Sequence, residues 1–218
     1  MIAARNIFAN ANDLAARLAQ DVATSLAAAI AGQGGAVLAV SGGTTPTKFF
    51  QALSRAELDW SKVQVTLVDE RQVDETSPRS NARLVKATLL QNQAAAAHFV
   101  PLYQNPDAAQ VPNFDVAILG MGDDGHSASF FPGGDTLSAA IDPQTTTAIT
   151  AISAPGSGEP RLTFTLPRLL SAGHLILHIQ GQDKWAVLEK ALAGADVMAM
   201  PVRAVLQAKT PIALYWCP

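Results

Sequence analysis

The sequence predicts an α/β fold: a single doubly wound domain, residues 1–218, with a mostly parallel central sheet flanked by helices on both faces. Three observations predict it. Strand-like and helix-like patterns alternate along the chain, the order that βαβ units require. Several strand candidates are continuous apolar runs: AVLAV at 36–40, VAILG at 116–120 and ALYW at 213–216. Such runs suit strands buried on both faces by covering helices. The length of 218 residues lets one such domain bury a full core without metals or disulfides. No stretch reads as a linker, and the expected layering is Rossmann-like.

The elements follow in order. Residues near 8–31 read as a helix, with Leu14, Leu18, Val22, Leu26 and Ile30 on one face. Gly32, Gly34 and Gly35 end it. Strand Ala36–Val40 is followed by a helix near 46–54 and a strand at 63–68. A helix near 80–90 starts at a Ser80 cap. Strand-like pieces lie at 98–101 and 114–119, then, beyond a glycine-rich stretch at 120–134, at 147–152 and 161–165. A short helix begins at Pro167, a favourable first helical position. Strand His174–Gln180, a helix at 183–193 and a strand at 212–216 complete the chain.

Composition excludes several classes. Hydrophobic residues make up 49% and charged residues 15%, and mean hydropathy is +0.17, the opposite of a disordered chain. A net charge of −3 gives no basic field for nucleic acid. The one cysteine, Cys217, excludes an intramolecular disulfide and a cysteine-based zinc cage, and fits a reducing compartment. No run of about 18 uncharged apolar residues exists, so no membrane span is expected. Asp13, Arg17 and Asp21 interrupt the alanine-rich start at helical spacing, and no basic segment leads into an apolar one. This reads as a helix of a cytoplasmic protein, not a signal peptide.

Chemistry-bearing residues gather just after strands, where ligands bind in open α/β sheets. Ser41-Gly42-Gly43-Thr44-Thr45-Pro46 follows the strand 36–40 and opens a helix. Glycines let a ligand approach the backbone, Thr44 and Thr45 bring hydroxyls, and free N–H groups with the helix dipole attract an anion such as phosphate. Alone, the loop reads equally as a tight strand-to-helix turn with a threonine cap. It is not a Walker A loop, because no Gly-Lys-Ser/Thr follows.

Gly120-Met121-Gly122-Asp123-Asp124-Gly125-His126-Ser127 matches G-x-G-x-x-G after a strand. Two carboxylates where a pyrophosphate would sit argue against a dinucleotide. They fit proton chemistry better. A histidine near neutral pKa can take a proton from water, and a carboxylate two residues away can orient its ring. The bland alternative is a glycine loop whose acids cap backbone donors.

Other polar candidates are weaker one by one. Asp69-Glu70-Arg71 ends the strand at 63–68; alone it reads as a solvated charge cluster continued by Asp74 and Glu75. Ser80-Asn81 reads as a helix cap. Arg161 opens an apolar stretch, and Lys184 opens a helix, where a cation opposes the dipole and needs an anion, either a bound phosphate or Asp183. Each alone is more often a surface residue. His174 and His178, on one face of a strand with Ile176, read as structural; as a metal pair they lack a third ligand in the sequence. No Gly-x-Ser-x-Gly elbow or His-Glu-x-x-His is present.

Together these motifs resemble the 6-phosphogluconolactonase family over nearly the whole length. The matching pieces are Ser41 to Pro46, Asp69 to Arg71 with Ser80-Asn81, Gly120 to Ser129, Arg161 to Thr165, and Gly181 to Lys184. The resemblance implies hydrolysis of 6-phospho-D-glucono-1,5-lactone in the pentose phosphate pathway, with no metal and no cofactor. It implies a candidate catalytic set of His126, Asp124 and Arg71, with Asp124 as the partner of His126 and Arg71 at the sugar-acid end. The substrate and phosphate candidates are Gly42, Gly43, Thr44, Thr45, Asp69, Asn81, Arg161 and Lys184. The expected partner is a small sugar-phosphate lactone, with neither nucleic acid nor membrane. One departure is Thr44, where a serine is common; the hydroxyl is retained.

Aminosugar-phosphate deaminases share the fold and a similar Asp-Gly-His motif, but carry a glutamate five residues after the histidine. Phe131 holds that position here, which favours the lactonase. A non-catalytic sugar-phosphate sensor would need a DNA-binding module, for which no basic helix is found. A dinucleotide-dependent oxidoreductase is the remaining rival.

Overall fold

A computed structural model describes residues 1–218. Seven strands form an all-parallel sheet: β1 (Ile2–Ile7), β2 (Ala36–Val40), β3 (Val63–Leu67), β5 (His98–Val100), β6 (Val116–Leu119), β9 (His174–Gln180) and β10 (Ile212–Cys217), with spatial order β1-β10-β9-β6-β2-β3-β5. A separate antiparallel sheet is built from β4 (Asp69–Arg71), β7 (Ile149–Ile152) and β8 (Arg161–Phe164), in the order β4-β8-β7. The helices are α1 (Ala11–Gln33), α2 (Thr47–Leu53), α3 (Asn81–Thr88), α4 (Leu137–Ala140), α5 (Leu166–Leu170), α6 (Gln182–Leu192) and α7 (Val202–Leu206). The doubly wound α/β architecture read from the sequence is the one observed.

The central strands form because their runs are apolar on both faces. Every residue of β2 and of β6 is buried. They join a core in which Leu14, Leu18, Val22 and Leu26 of α1 are also fully buried. Asn10 starts α1 by accepting hydrogen bonds from the backbone N–H groups of Asn12 and Asp13 at 2.9 and 3.0 Å, which satisfies two orphan donors.

Three features differ from the sequence reading. The strand β1 precedes α1, where only the helix was expected. Its residues are exposed or half-buried, so it carries no apolar signal; main-chain pairing with β10 holds it at the sheet edge. The strand expected at 63–68 ends at Leu67: the Val68 N–H still donates to the Val40 carbonyl at 2.9 Å, but its carbonyl accepts the Phe164 N–H at 3.0 Å, and the following β4 pairs with β8 in the second sheet. Finally, α4 and α7 were not anticipated, since four or five residues are too few to display a helical period.

The sheet order creates a switch point. From β2 the chain continues to β3 and β5 on one side, then returns to place β6 on the other. The connections that leave the carboxyl ends of β2 and β6 therefore part and open a crevice. Leu38, central in β2 and fully buried, anchors this seam. Leu38→Ala should cost about 2–5 kcal/mol of stability, measured as a lowered urea midpoint with unchanged slope.

Candidate active site

The crevice above β2 and β6 holds a cleft of about 250 Å³. Gly42, Gly43, Thr44 and Thr45 line it from the loop after β2, and Gly120, Gly122 and His126 from the loop after β6. Asp69 and Arg71 reach it from β4, Asn81 from α3, Arg161 from β8 and Lys184 from the first turn of α6. Of the eleven residues singled out in the sequence, only Asp124 does not line the cleft. It stands behind the imidazole.

Two glycines make this packing possible. A Cβ at Gly42 would collide with the side chain of Asn81, so the loop after β2 could not lie against α3. A Cβ at Gly122 would collide with the His126 ring and lie 2.7 Å from Asp124 Oδ1. The dyad of His126 and Asp124 thus occupies space that a side chain at 122 would fill.

Within the dyad, His126 Nδ1 lies 2.6 Å from Asp124 Oδ1, which also accepts the His126 backbone N–H at 3.0 Å. Burial resists ionisation of Asp124, but the hydrogen bonds from the ring and backbone of His126 outweigh it and hold the carboxyl below the usual range. An ionised carboxylate only accepts, so the neutral ring meets it through Nδ1–H, the tautomer that leaves the Nε2 lone pair free. Phe131 packs against the face of the imidazole, with centroids 4.2 Å apart and an interplanar angle of 33°. The Arg161 guanidinium lies 5.3 Å from the same phenyl centroid, so one buried ring orients both groups.

The cations come together through the second sheet. Arg71 and Arg161 are directly opposed in the β4–β8 register. Opposed like charges repel, and Glu159 answers them: its Oε1 lies 3.5 Å from Arg71 Nε and 3.8 Å from Arg161 Nη2, and its Oε2 lies 2.7 Å from Arg79 Nη2. Arg161 is only 7% exposed, and burial pushes its pKa down against the pull of Asp69. The buried Nε atoms of both arginines have no hydrogen-bond partner. Such sealed donors are costly to leave unmet, while Arg71 and Arg161 as residues line the cleft.

Asp69 and Glu70 are not the solvated cluster that their sequence neighbourhood suggests; both are buried. Asp69 accepts Ser129 Oγ at 2.6 Å, and its carbonyl accepts Asn81 Nδ2 at 3.0 Å. Glu70 accepts the backbone N–H groups of Arg71, Asn81 and Ala82 at 2.6, 2.9 and 2.7 Å. Burial raises its pKa despite those donors. It ties α3 to β4 and sets the positions of Asn81 and Arg71. The anion that answers Lys184 is Asp123, at 2.7 Å, and not the neighbouring Asp183. Asp123 is 84% exposed, so a ligand anion can displace it.

Sequence reasoning missed Glu159, for which no local pattern gives a signal, and the orienting role of Phe131. His174 is exposed at the start of β9 and His178 is buried near its end, so they form no pair. No three His, Cys, Asp or Glu side chains converge as metal ligands. His178 lines the cleft floor; its place near the carboxyl end of a parallel strand was the available signal.

Gly122→Ala should displace the His126 ring while the fold survives, read as loss of the Nδ1–H tautomer in a ¹⁵N-histidine spectrum with unchanged circular dichroism. Burial also pushes the His178 pKa down to about 4, against about 6.5 in an unfolded chain. Between those values the unfolded chain binds a proton that the folded one refuses, so stability falls as pH drops through that window. His178→Phe should flatten this part of the profile, checked by urea midpoints from pH 7 to pH 4.5.

Comparison with known proteins places this geometry in a family. The family model described as glucosamine-6-phosphate isomerases/6-phosphogluconolactonase matches residues 9–216. A 6-phosphogluconolactonase of Rhizobium meliloti (strain 1021) is 52% identical, with all of both chains covered. One of Mesorhizobium japonicum is 50% identical over 98% of this chain and 94% of its own. A crystal structure of a 6-phosphogluconolactonase from Shewanella baltica OS155 superposes with a TM-score of 0.94 at 39% identity, covering 99% of this chain and 97% of that one. With its switch-point cleft and its matched length, this chain belongs to the glucosamine-6-phosphate isomerase/6-phosphogluconolactonase family.

Proposed function

We propose that the chain hydrolyses 6-phospho-D-glucono-1,5-lactone to 6-phosphogluconate, with His126 as general base. The observation that carries this reading is one cleft with two ends. Glycine-lined backbone, Lys184 and buried Arg161 make a cationic end, and a carboxylate-held imidazole with a free Nε2 sits beside it. The names of the full-length relatives support the lactone as substrate.

The cationic end grips the phosphate, and that remote binding places the lactone carbonyl. Nε2 of His126 takes a proton from water as its oxygen attacks C1. Asp124 stabilises the resulting imidazolium and keeps the ring from turning. Arg71, whose side chain lines the cleft, stabilises the tetrahedral oxyanion. As the C1–ring oxygen bond breaks, the imidazolium returns its proton to the leaving oxygen. The product carboxylic acid then loses its proton to solvent. Asn81 and Asp69 shape the sugar side of the cleft.

No helix is long and apolar enough to cross a membrane; a cytoplasmic setting suits a phosphorylated metabolite. One core runs from α1 through β10, and we read the chain as a single domain. Phe131 stands against the aminosugar deaminase alternative, because it fills the space beside His126 with a phenyl ring in place of an acid. Release of ammonia from glucosamine 6-phosphate would reveal that activity.

His126→Ala should lower kcat by about 10²–10⁴-fold, assayed with fresh lactone after subtraction of spontaneous opening. An unchanged kcat excludes His126 as the base. Lys184→Ala should chiefly raise KM, and an unaltered KM excludes its role at the phosphate.

A further inference from the structure

We propose that His178 is a further substrate contact, donating through Nδ1–H to the phosphate that the Gly42 to Thr45 loop and Lys184 surround. The proposal deepens the function proposed above and rests on its placement of the phosphate.

The position of the ring carries the argument. His178 is 3% exposed, yet it lines the cleft. Phe49 of α2, the helix that the glycine loop leads into, meets the imidazole edge-on, with centroids 6.1 Å apart at 81°. Three residues beyond His178, Gly181 leads into the first turn of α6, which carries Lys184. The imidazole therefore lies near both elements, α2 and α6, that flank the phosphate end.

The hydrogen bonding then selects the atom. The only hydrogen bond of the ring is with Gln180, whose Nε2 lies 3.2 Å from His178 Nε2. The amide N–H donates, so Nε2 accepts, and an imidazole with one proton must carry it on Nδ1. Burial keeps the ring in that uncharged form at neutral pH. Nδ1–H has no acceptor in the chain. Nor is it sealed: the buried polar atoms without partners are only the Nε atoms of Arg71 and Arg161. The opening of Nδ1 is to the cleft. Ile176, two residues earlier on the same face, shows that an apolar side chain satisfies the packing of this strand. A donor at 178 that is open to the cleft and unpartnered within the chain is free to bond a ligand acceptor.

The charge state suits the task. Lys184 and the arginines already supply cationic neutralisation. An uncharged donor adds direction without a further charge to bury, and it stays a donor while the phosphate titrates.

The test exploits the small histidine count, four in the chain. In ¹⁵N-histidine-labelled protein at pH 7, His178 should show the neutral Nδ1–H tautomer, and its Nδ1 resonance should move on titration with inorganic phosphate and with 6-phosphogluconate. By calorimetry, His178→Phe, which preserves the packing, should weaken 6-phosphogluconate binding by roughly tenfold or more. His178→Gln should do the same, because its amide nitrogen falls near the Nε2 position. His178→Asn, whose amide nitrogen falls near Nδ1, should restore binding to within about threefold. KM for the phosphorylated lactone should rise in the Phe variant, and the Asn variant should bring it back towards the wild-type value. Ligand binding by the wild type that leaves His178 unmoved, or a Phe variant that binds as the wild type does, overturns this contact alone. A wild-type protein that binds neither ligand overturns the phosphate reading of the cleft as well.

Discussion

Strands β2 and β6 lie side by side and parallel, yet the chain leaves their carboxyl ends in opposite directions. That constraint creates the crevice, and the rest of the site depends on it. A parallel pair directs both sets of outgoing backbone to one edge of the sheet, so two loops distant in sequence must face one another. Ser41 N–H donating to the Ile118 carbonyl at 3.1 Å continues the pairing into the loops. Glycine at 42 and 122 then lets the loops lie close to their neighbours, Asn81 on one side and the dyad on the other.

The second sheet supplies what the first cannot. Opposed Arg71 and Arg161 would repel in any fold that paired them without compensation. Glu159 gives partial compensation, and the unpartnered Nε atoms show that it is incomplete. The second sheet thus holds two like charges in contact at the cost of local stability. Lys184 is handled differently, by an exposed carboxylate that solvent already screens.

The dyad is held from three directions. Asp124 fixes the tautomer, the space at Gly122 admits the ring, and Phe131 packs against its face. The imidazole is thereby set in one orientation. Because Phe131 also faces Arg161, the imidazole and that guanidinium pack against one phenyl ring.

The sequence by itself determined the α/β class and the buried strands, because apolar runs at β2, β6 and β10 record burial on both faces directly. It also showed which loops carry chemistry, because glycine beside hydroxyl, carboxylate and imidazole groups is a local pattern. Ten of its eleven candidate residues line one cleft, with Asp124 behind. The tertiary structure alone decided that Asp69 and Glu70 are buried and that Arg71 opposes Arg161. It alone showed that Glu159 lies between the arginines, that Asp123 and not Asp183 answers Lys184, and that His178 opens to the cleft. It alone disclosed β1, whose exposed side chains leave no apolar trace. The physical reason is common to these cases. Burial of a periodic segment is written into its own residues, whereas the partner of a charge or of an edge strand is set by strand register and sheet order across the chain.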